Sequence, residues 1–366
     1  MGKTLNRSAA RKLEVCGCSA AGIHVLSRNN PALLLNHRYS SALLVAVLLL
    51  PLHAIAGEFF KGVTVSCQTW GIEWQTPEMA QTLDELQSLG ANSFAIHPYA
   101  RIANDGHVVY RVRDDNRYIT IALEWGRDRG MRVMLIPHIA YWGSKFSWRG
   151  EINFSSAEEW DRFFGDYQRW IVEMATLAEA HGAAVLCVGL EFTHAQKHEH
   201  RWRQIIAAVR DVYRGKLTYG GNWGDYEQVK FWDALDYIGV LAYFPLTSAS
   251  NPTGEQIAAG WEKRCAELAR FSQRNGGKQV LFVEVGYNES ARAAAEPWSF
   301  ATGGDGAADI QARCIDAALS LTGKYPWFAG MFLWKWFPEV PMHEEEDFRL
   351  QTPAIKALIA KHWRTD

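Results

Sequence analysis

Cysteine is scarce in this chain, and what there is does not pair. Six occur in 366 residues. Cys16 and Cys18 lie in an N-terminal stretch of different character, while Cys67, Cys187, Cys265 and Cys314 are far apart with no CxxC among them. A disulfide framework or thiolate zinc site is disfavoured, and Cys67 and Cys187, set in apolar runs, read as buried free thiols. There is no GxGxxG turn after the first strand-like run, no Gly-rich phosphate loop and no GxSxG elbow, which argues against dinucleotide, phosphoryl-transfer and serine-hydrolase chemistry. His194 and His198 have i, i+4 spacing, but His198-Glu199-His200-Arg201-Trp202 is not HExxH. That charged stretch reads as a solvated helix start, so neither metal nor cofactor is expected. The acidic run at 344–347 reads likewise as a solvated loop.

Long apolar runs are also lacking. The longest near the N-terminus, 42–50, is short for a membrane span. His37 and Arg38 precede it, and Ala54-Ile55-Ala56 follows as a small-x-small cleavage site. This is the pattern of a secretory signal, so residues 1–56 are expected to be a leader and the mature chain to be secreted or periplasmic. An uncleaved N-terminal anchor is the alternative; after processing, no stable membrane insertion is expected. The leader carries six of the 38 basic residues and one of the 40 acids. The remainder holds 32 against 39, net −7 with histidine neutral. Such a surface without a basic stripe argues against a nucleic-acid partner. Tryptophan, by contrast, is abundant: 16 residues, all from position 70 onward. Core packing accounts for several, and a dense set also suits stacking on the apolar face of a sugar.

From residue 61 one rhythm repeats: a short apolar run, a loop, an amphipathic stretch. The runs 62–67, 93–97, 132–138, 184–191, 217–222, 237–243, 280–287 and 330–336 make eight strands. Helices are expected at 77–89 (Thr76 as N-cap, Pro77 at the first position, Gly90 closing), 118–129, 157–181, 200–214, 254–275, 309–322 and 353–362, with only a short one at 226–234. Eight alternations with near-continuous apolar strands imply a parallel sheet covered outside by helices. Eight also closes a (β/α)8 TIM barrel, expected here as a single α/β domain over 57–366 and a monomer; an open doubly wound sheet is the alternative. Polar or Gly-rich insertions at 104–116, 143–154 and 291–306 follow strands, on the side where such barrels build their sites.

The strand ends are unusually polar, with His97, His138, Glu191, Asn222-Trp223, Tyr243, Glu284 and Trp334 all at C-terminal ends. Glu191 closes a seven-residue run without charge, and Glu284 sits inside Val280-Leu281-Phe282-Val283-Glu284-Val285-Gly286. A carboxylate in so apolar a run faces a steep desolvation cost unless it is paired or functional. A structural ion pair with an inward base such as Arg101 or Lys335 is the bland alternative. Strands four and seven face each other across an eight-stranded ring, and two carboxyls facing a sugar equip a site for glycosidic cleavage. Their gap, about 5–5.5 Å for retention and 6.5–9.5 Å for inversion, is not readable from sequence.

Glutamates ending strands four and seven resemble glycoside hydrolase clan A. Within it, Gly62-Val63-Thr64, Val188-Gly189-Leu190-Glu191, Leu217-Thr218-Tyr219-Gly220-Gly221-Asn222-Trp223, Phe282-Val283-Glu284-Val285-Gly286-Tyr287 and Trp334 resemble family 113, whose characterised members are chiefly β-1,4-mannanases. The resemblance spans about residues 60–340. It implies a retaining, double-displacement hydrolase with Glu191 as acid/base and Glu284 as nucleophile. It also implies Tyr243 as hydrogen-bond donor to the nucleophile and Trp334 as aromatic floor. Many clan members carry Asn before the acid/base; here Leu190 stands there, so His138 or Asn222 would have to hold the sugar 2-hydroxyl.

His97 and His138 are candidate sugar-hydroxyl ligands, or histidines satisfied in the core. Trp70, Trp74, Trp142 and Trp223 are candidate subsite walls, or packing. The substrate expected is a polysaccharide or oligosaccharide of the β-1,4-mannan type. Another β-glycan (glucan, galactan or cell-wall glycan) and a non-catalytic carbohydrate-binding barrel are the alternatives.

Overall fold

The computed structural model describes residues 59–110, 116–338 and 348–364. The leader at 1–56 and the acidic run at 344–347 lie outside the described residues. Among those described, the strands in chain order are β1 (Phe60–Val65), β2 (Ser93–Ile96), β3 (Tyr99–Ile102), β4 (Val108–Val109), β5 (Arg132–Leu135), β6 (His138–Ala140), β7 (Val185–Leu190), β8 (Lys216–Asn222), β9 (Ile238–Leu241), β10 (Val280–Val285) and β11 (Phe328–Trp336). Eight of them close a barrel in the order β1-β2-β5-β7-β8-β9-β10-β11, each parallel to both neighbours.

The helices are α1 (Pro77–Ser88), α2 (Arg117–Asp128), α3 (Ala157–His181), α4 (Glu199–Val212), α5 (Gly254–Arg274), α6 (Ala307–Leu319) and α7 (Pro353–Trp363). Apolar residues at 163, 164, 167, 170, 171, 174, 175 and 178 give α3 a helical stripe, and all are buried. Ser156 and Glu159 form a capping box at its start, and Gly182 closes it at φ 75°. A second box, Thr253 with Gln256, starts α5. Thr76 does occupy the N-cap of α1, but its hydroxyl donates to Glu73 O instead of receiving a helix N–H. Between β8 and β9 two single 3-10 turns, Tyr226–Gln228 and Trp232–Ala234, stand where one short helix was expected.

The second and third barrel strands end earlier than their apolar runs. Pro98 and Pro137 lack the N–H a ladder needs, so pairing lapses there. The chain re-pairs beyond them in a side sheet, β3 antiparallel to β4 and parallel to β6.

The core has two shells. Phe60, Met134, Val185, Cys187, Leu281, Val283 and Phe332 fill the barrel, while Val63, Phe94, Trp202, Trp261 and Phe282 pack between strands and helices. Gly62 is required by this filling, since a Cβ there would come within 2.4 Å of the Phe332 ring. Alternation along β7 puts Val185 and Cys187 inside and Leu186 and Val188 outside. A register shift between Cys187 and Leu190 breaks it, and Leu190 joins the interior out of phase. Strand β10 shifts register against both neighbours between Phe282 and Val285. Bulges of this kind re-aim side chains, and these two sit beside the two strand-end glutamates.

Candidate active site

A cavity of about 1000 Å³ opens at the C-terminal end of the barrel. Glu284, near the end of β10, lies in its floor and is only 4% exposed. Tyr243, just past β9, donates from Oη to Glu284 Oε2 at 2.9 Å. His138, the first residue of β6, places Nε2 at 3.5 Å from Glu284 Oε1. Burial pushes the Glu284 carboxyl up to about 7, against the lowering pull of Arg149, the Tyr243 hydroxyl and Lys335. Trp334 lies in the same floor, its ring parallel to that of His138 at 5.8 Å.

Glu191 follows β7 with φ 61°, a left-handed backbone that a non-glycine residue adopts at a cost of roughly 1–3 kcal/mol. The turn points its side chain, 21% exposed, into the cavity. Its Oε2 accepts from Arg149 Nη1 at 2.5 Å. The same guanidinium donates from Nη2 to His138 Nδ1 at 3.0 Å and from Nε to Ile139 O at 2.8 Å. The two glutamates are thus joined through Arg149 and His138. Burial raises the Glu191 carboxyl, opposed by Arg149 and reinforced by the Glu284 charge. His138 is held well below its ordinary value by burial, then by the charges of Arg149 and Lys335. Arg149 comes from the 143–154 insertion, in a 3-10 turn spanning Arg149–Glu151.

The cavity walls are aromatic. Tyr99 and Tyr141 pack against Trp142; Trp223 and Trp298 stack at 4.9 Å; Trp148 and Phe300 also line the cavity, Phe300 edge-on to Phe348. Trp142, Trp148, Trp298 and Phe300 are the exposed large apolar residues of the rim, from 38% to 69%. Beyond Glu191 a polar chain runs from Asn222 Nδ2 to Thr193 Oγ1 (3.3 Å), whose hydroxyl donates to Asp225 Oδ2 (2.6 Å).

The sequence of residues 63–350 matches the model of Glycoside Hydrolase Family 113. The chain belongs to glycoside hydrolase family 113. It is a glycoside hydrolase, with the carbohydrate substrate that implies. Among solved structures it is similar to a family 113 β-mannanase from Alicyclobacillus acidocaldarius, at 29% identity and TM-score 0.72, covering 84% of this chain and 97% of that one. A second family 113 β-1,4-mannanase gives 22% identity and TM-score 0.73, covering 84% and 99%. A family 5 mannosidase from Rhizomucor miehei, at 10% identity and TM-score 0.57 over 84% and 93%, shares the fold. No curated protein sequence matches.

Eight of the eleven residues singled out in the sequence line this family 113 cavity: His138, Trp142, Glu191, Asn222, Trp223, Tyr243, Glu284 and Trp334. His97 does not. It is fully buried beneath His138, with ring centroids 4.8 Å apart and Nε2 at 3.1 Å from Ser66 Oγ. Trp70 stands outside the lining, edge-on to Tyr99 and Trp142 with the Arg101 guanidinium 4.7 Å from its ring. Trp74 is fully buried, its indole N–H donating to Val65 O. Cys67 is half-buried and packs against the edge of the core, while Cys187, Cys265 and Cys314 are buried and free.

Arg149 is the residue that sequence reasoning missed. Arg101 and Lys335 were the bases named for the alternative of a structural ion pair with the glutamates. Arg101 is exposed over Trp70, while Lys335 does line the cavity. An arginine in a polar loop carries no periodicity, and the one available signal was that its insertion immediately follows the third barrel strand.

Proposed function

We propose that this family 113 enzyme is a retaining endo-β-1,4-mannanase in which Glu284 is the nucleophile and Glu191 the acid/base. One observation carries the reading: both strand-end glutamates face a single aromatic-lined cavity, one deep and gripped by Tyr243, the other partly exposed. An acid/base must exchange a proton with water in every cycle, which suits the more exposed Glu191. A nucleophile needs a fixed direction of attack, which suits Glu284 between Tyr243 and His138.

In the first step Glu284 Oε attacks the anomeric carbon as Glu191 protonates the departing glycosidic oxygen, giving a covalent glycosyl-enzyme. In the second, Glu191 takes a proton from water, which displaces Glu284 and restores the starting configuration. Developing positive charge on the sugar is met by the Glu284 carboxylate, and Trp334 offers the ring an apolar face. With Leu190 where an Asn was expected, His138 is the better placed holder of the sugar 2-hydroxyl. Its Nε2 stands beside Glu284, whereas the Asn222 amide is engaged with Thr193. The mannan preference is supported by the 29% identical Alicyclobacillus acidocaldarius β-mannanase, and the open, aromatic-lined rim suits internal cleavage.

The test is hydrolysis of β-1,4-mannan, β-glucan and β-galactan, with the product anomer followed by proton NMR. Mannan cleavage with initial release of the β-anomer is expected. Initial α-anomer overturns the retaining assignment, and preferred cleavage of glucan or galactan overturns the substrate.

A further inference from the structure

A guanidinium has five donors and no acceptor. Arg149 Nη2, at 3.0 Å from His138 Nδ1, therefore requires a lone pair on that nitrogen. The ring is neutral, since burial and the neighbouring charges of Arg149 and Lys335 disfavour imidazolium. Its one proton is then on Nε2, and Glu284 Oε1 is 3.5 Å from that atom. Nothing else settles the ring. His97 stacks on it face to face, and Tyr99 meets it edge-on at 5.8 Å. Nε2 makes no hydrogen bond, and Glu284 Oε1 is the acceptor it faces, at 3.5 Å.

The guanidinium itself has little freedom. Its Nε is fixed to Ile139 O at 2.8 Å, its Nη1 to Glu191, and the side chain is 12% exposed. Three acceptors on two segments, His138 and Ile139 of β6 and Glu191 beyond β7, converge on one planar fork.

We propose that Arg149 is a positioning residue: it holds the Glu191 carboxylate and, through Nδ1, locks His138 as the Nε2–H tautomer aimed at Glu284. The inference rests on the reading of the two glutamates as the catalytic pair. It adds that a residue of a surface insertion sets the state of the histidine beside the nucleophile. Lysine cannot replace it: a single ammonium preserves charge but not the fork that spans Glu191, His138 and Ile139 O.

Charge and geometry are therefore separable. Arg149→Met removes the positive charge that lowers both carboxyls, so both limbs of the kcat/KM pH profile move to higher pH. Arg149→Lys leaves the limbs in place while kcat falls about tenfold or more. Glutamine at 138 keeps an amide N–H near the Nε2 position but lacks the Nδ1 acceptor. In a His138→Gln background, Arg149→Lys should then cost much less than in wild type, a non-additive cycle.

The deciding experiment is two-bond proton–nitrogen correlation NMR of the 15N-histidine-labelled enzyme at neutral pH, with His138 assigned by its loss in His138→Gln. The expected result is an Nε2–H tautomer in wild type that gives way to a mixture in Arg149→Lys. An Nδ1–H tautomer or imidazolium in wild type, or strictly additive kinetics in the cycle, overturns the proposal. The tautomer is read without turnover. A locked Nε2–H ring in a protein that cleaves no glycan would uphold the clamp and sink the catalytic reading instead.

Discussion

Glu284 meets two opposing demands. In its proposed role as nucleophile it has to be ionised, yet the floor of the cavity removes the water that would stabilise the charge, and burial pushes its pKa up to about 7. The Tyr243 hydroxyl, 2.9 Å from Oε2, offsets part of that cost, because a hydrogen bond to the charged form favours it. Tyr243→Phe should therefore raise the Glu284 pKa further. Since Glu284 must be deprotonated to act, the acidic limb of kcat/KM moves to higher pH, and the rate at its optimum falls roughly 10- to 100-fold. A pH-rate profile of the variant checks both. Glu191 is placed differently, at the cost of a left-handed backbone and with Leu190 behind it in the barrel interior. On the proposed reading, Leu190 leaves no amide where a clan Asn would hold the substrate, and that task falls to side chains from other strands.

At the scale of elements, strand ends carry the chemistry and helix ends carry stability. Thr253, whose hydroxyl accepts from Gln256 N–H at the start of α5, does not line the cavity. Thr253→Ala should lower Tm by about 2–4 °C, on the order of 1 kcal/mol, and leave kcat unchanged, as calorimetry and a rate assay would show. Much of this level was legible in the sequence. The stripe on α3 fixed its bounds because 3.6-residue periodicity persists over 25 residues. The side sheet was not legible, because β4 has two residues and β6 three, too short for any period to register. Nor were the bulges in β7 and β10. Strict alternation would have set Glu284 on the same face as Phe282, which packs against the helices. A sequence shows that a charge interrupts an apolar run, but not that the ladder slips to accommodate it.

For the whole molecule, the barrel was readable because eight apolar runs with intervening amphipathic stretches permit few closed arrangements. The cavity walls were less so: Trp148, Trp298 and Phe300 come from loops whose shape no local pattern encodes. The buried acid also makes stability depend on pH. The folded-state pKa of Glu284 is raised above its unfolded value, so the folded protein binds the proton more tightly. Stability is full below about pH 4.5 and declines as pH rises towards 7 and ionisation is forced. Glu284→Gln removes that penalty, of roughly 3 kcal/mol at most. The variant should melt several degrees above wild type at pH 8 and close to it at pH 4, in paired thermal scans. On the proposed reading, Glu284 is a carboxylate kept for reactivity at a cost to its own scaffold, a trade proteins make at active sites.

The Arg149 contact has a last consequence, for engineering and for divergence. Barrels of this kind are commonly treated as a fixed reactive base beneath exchangeable loops, so that substrate range can be retuned by transplanting an insertion. Here the 143–154 insertion is wired into that base through one guanidinium that touches Glu191 and His138. A donor loop lacking arginine at 149 would bring new walls and disable the reaction beneath them. On the proposed roles of Glu191 and Arg149, specificity and reactivity are inherited together through that loop, and a graft has to carry both.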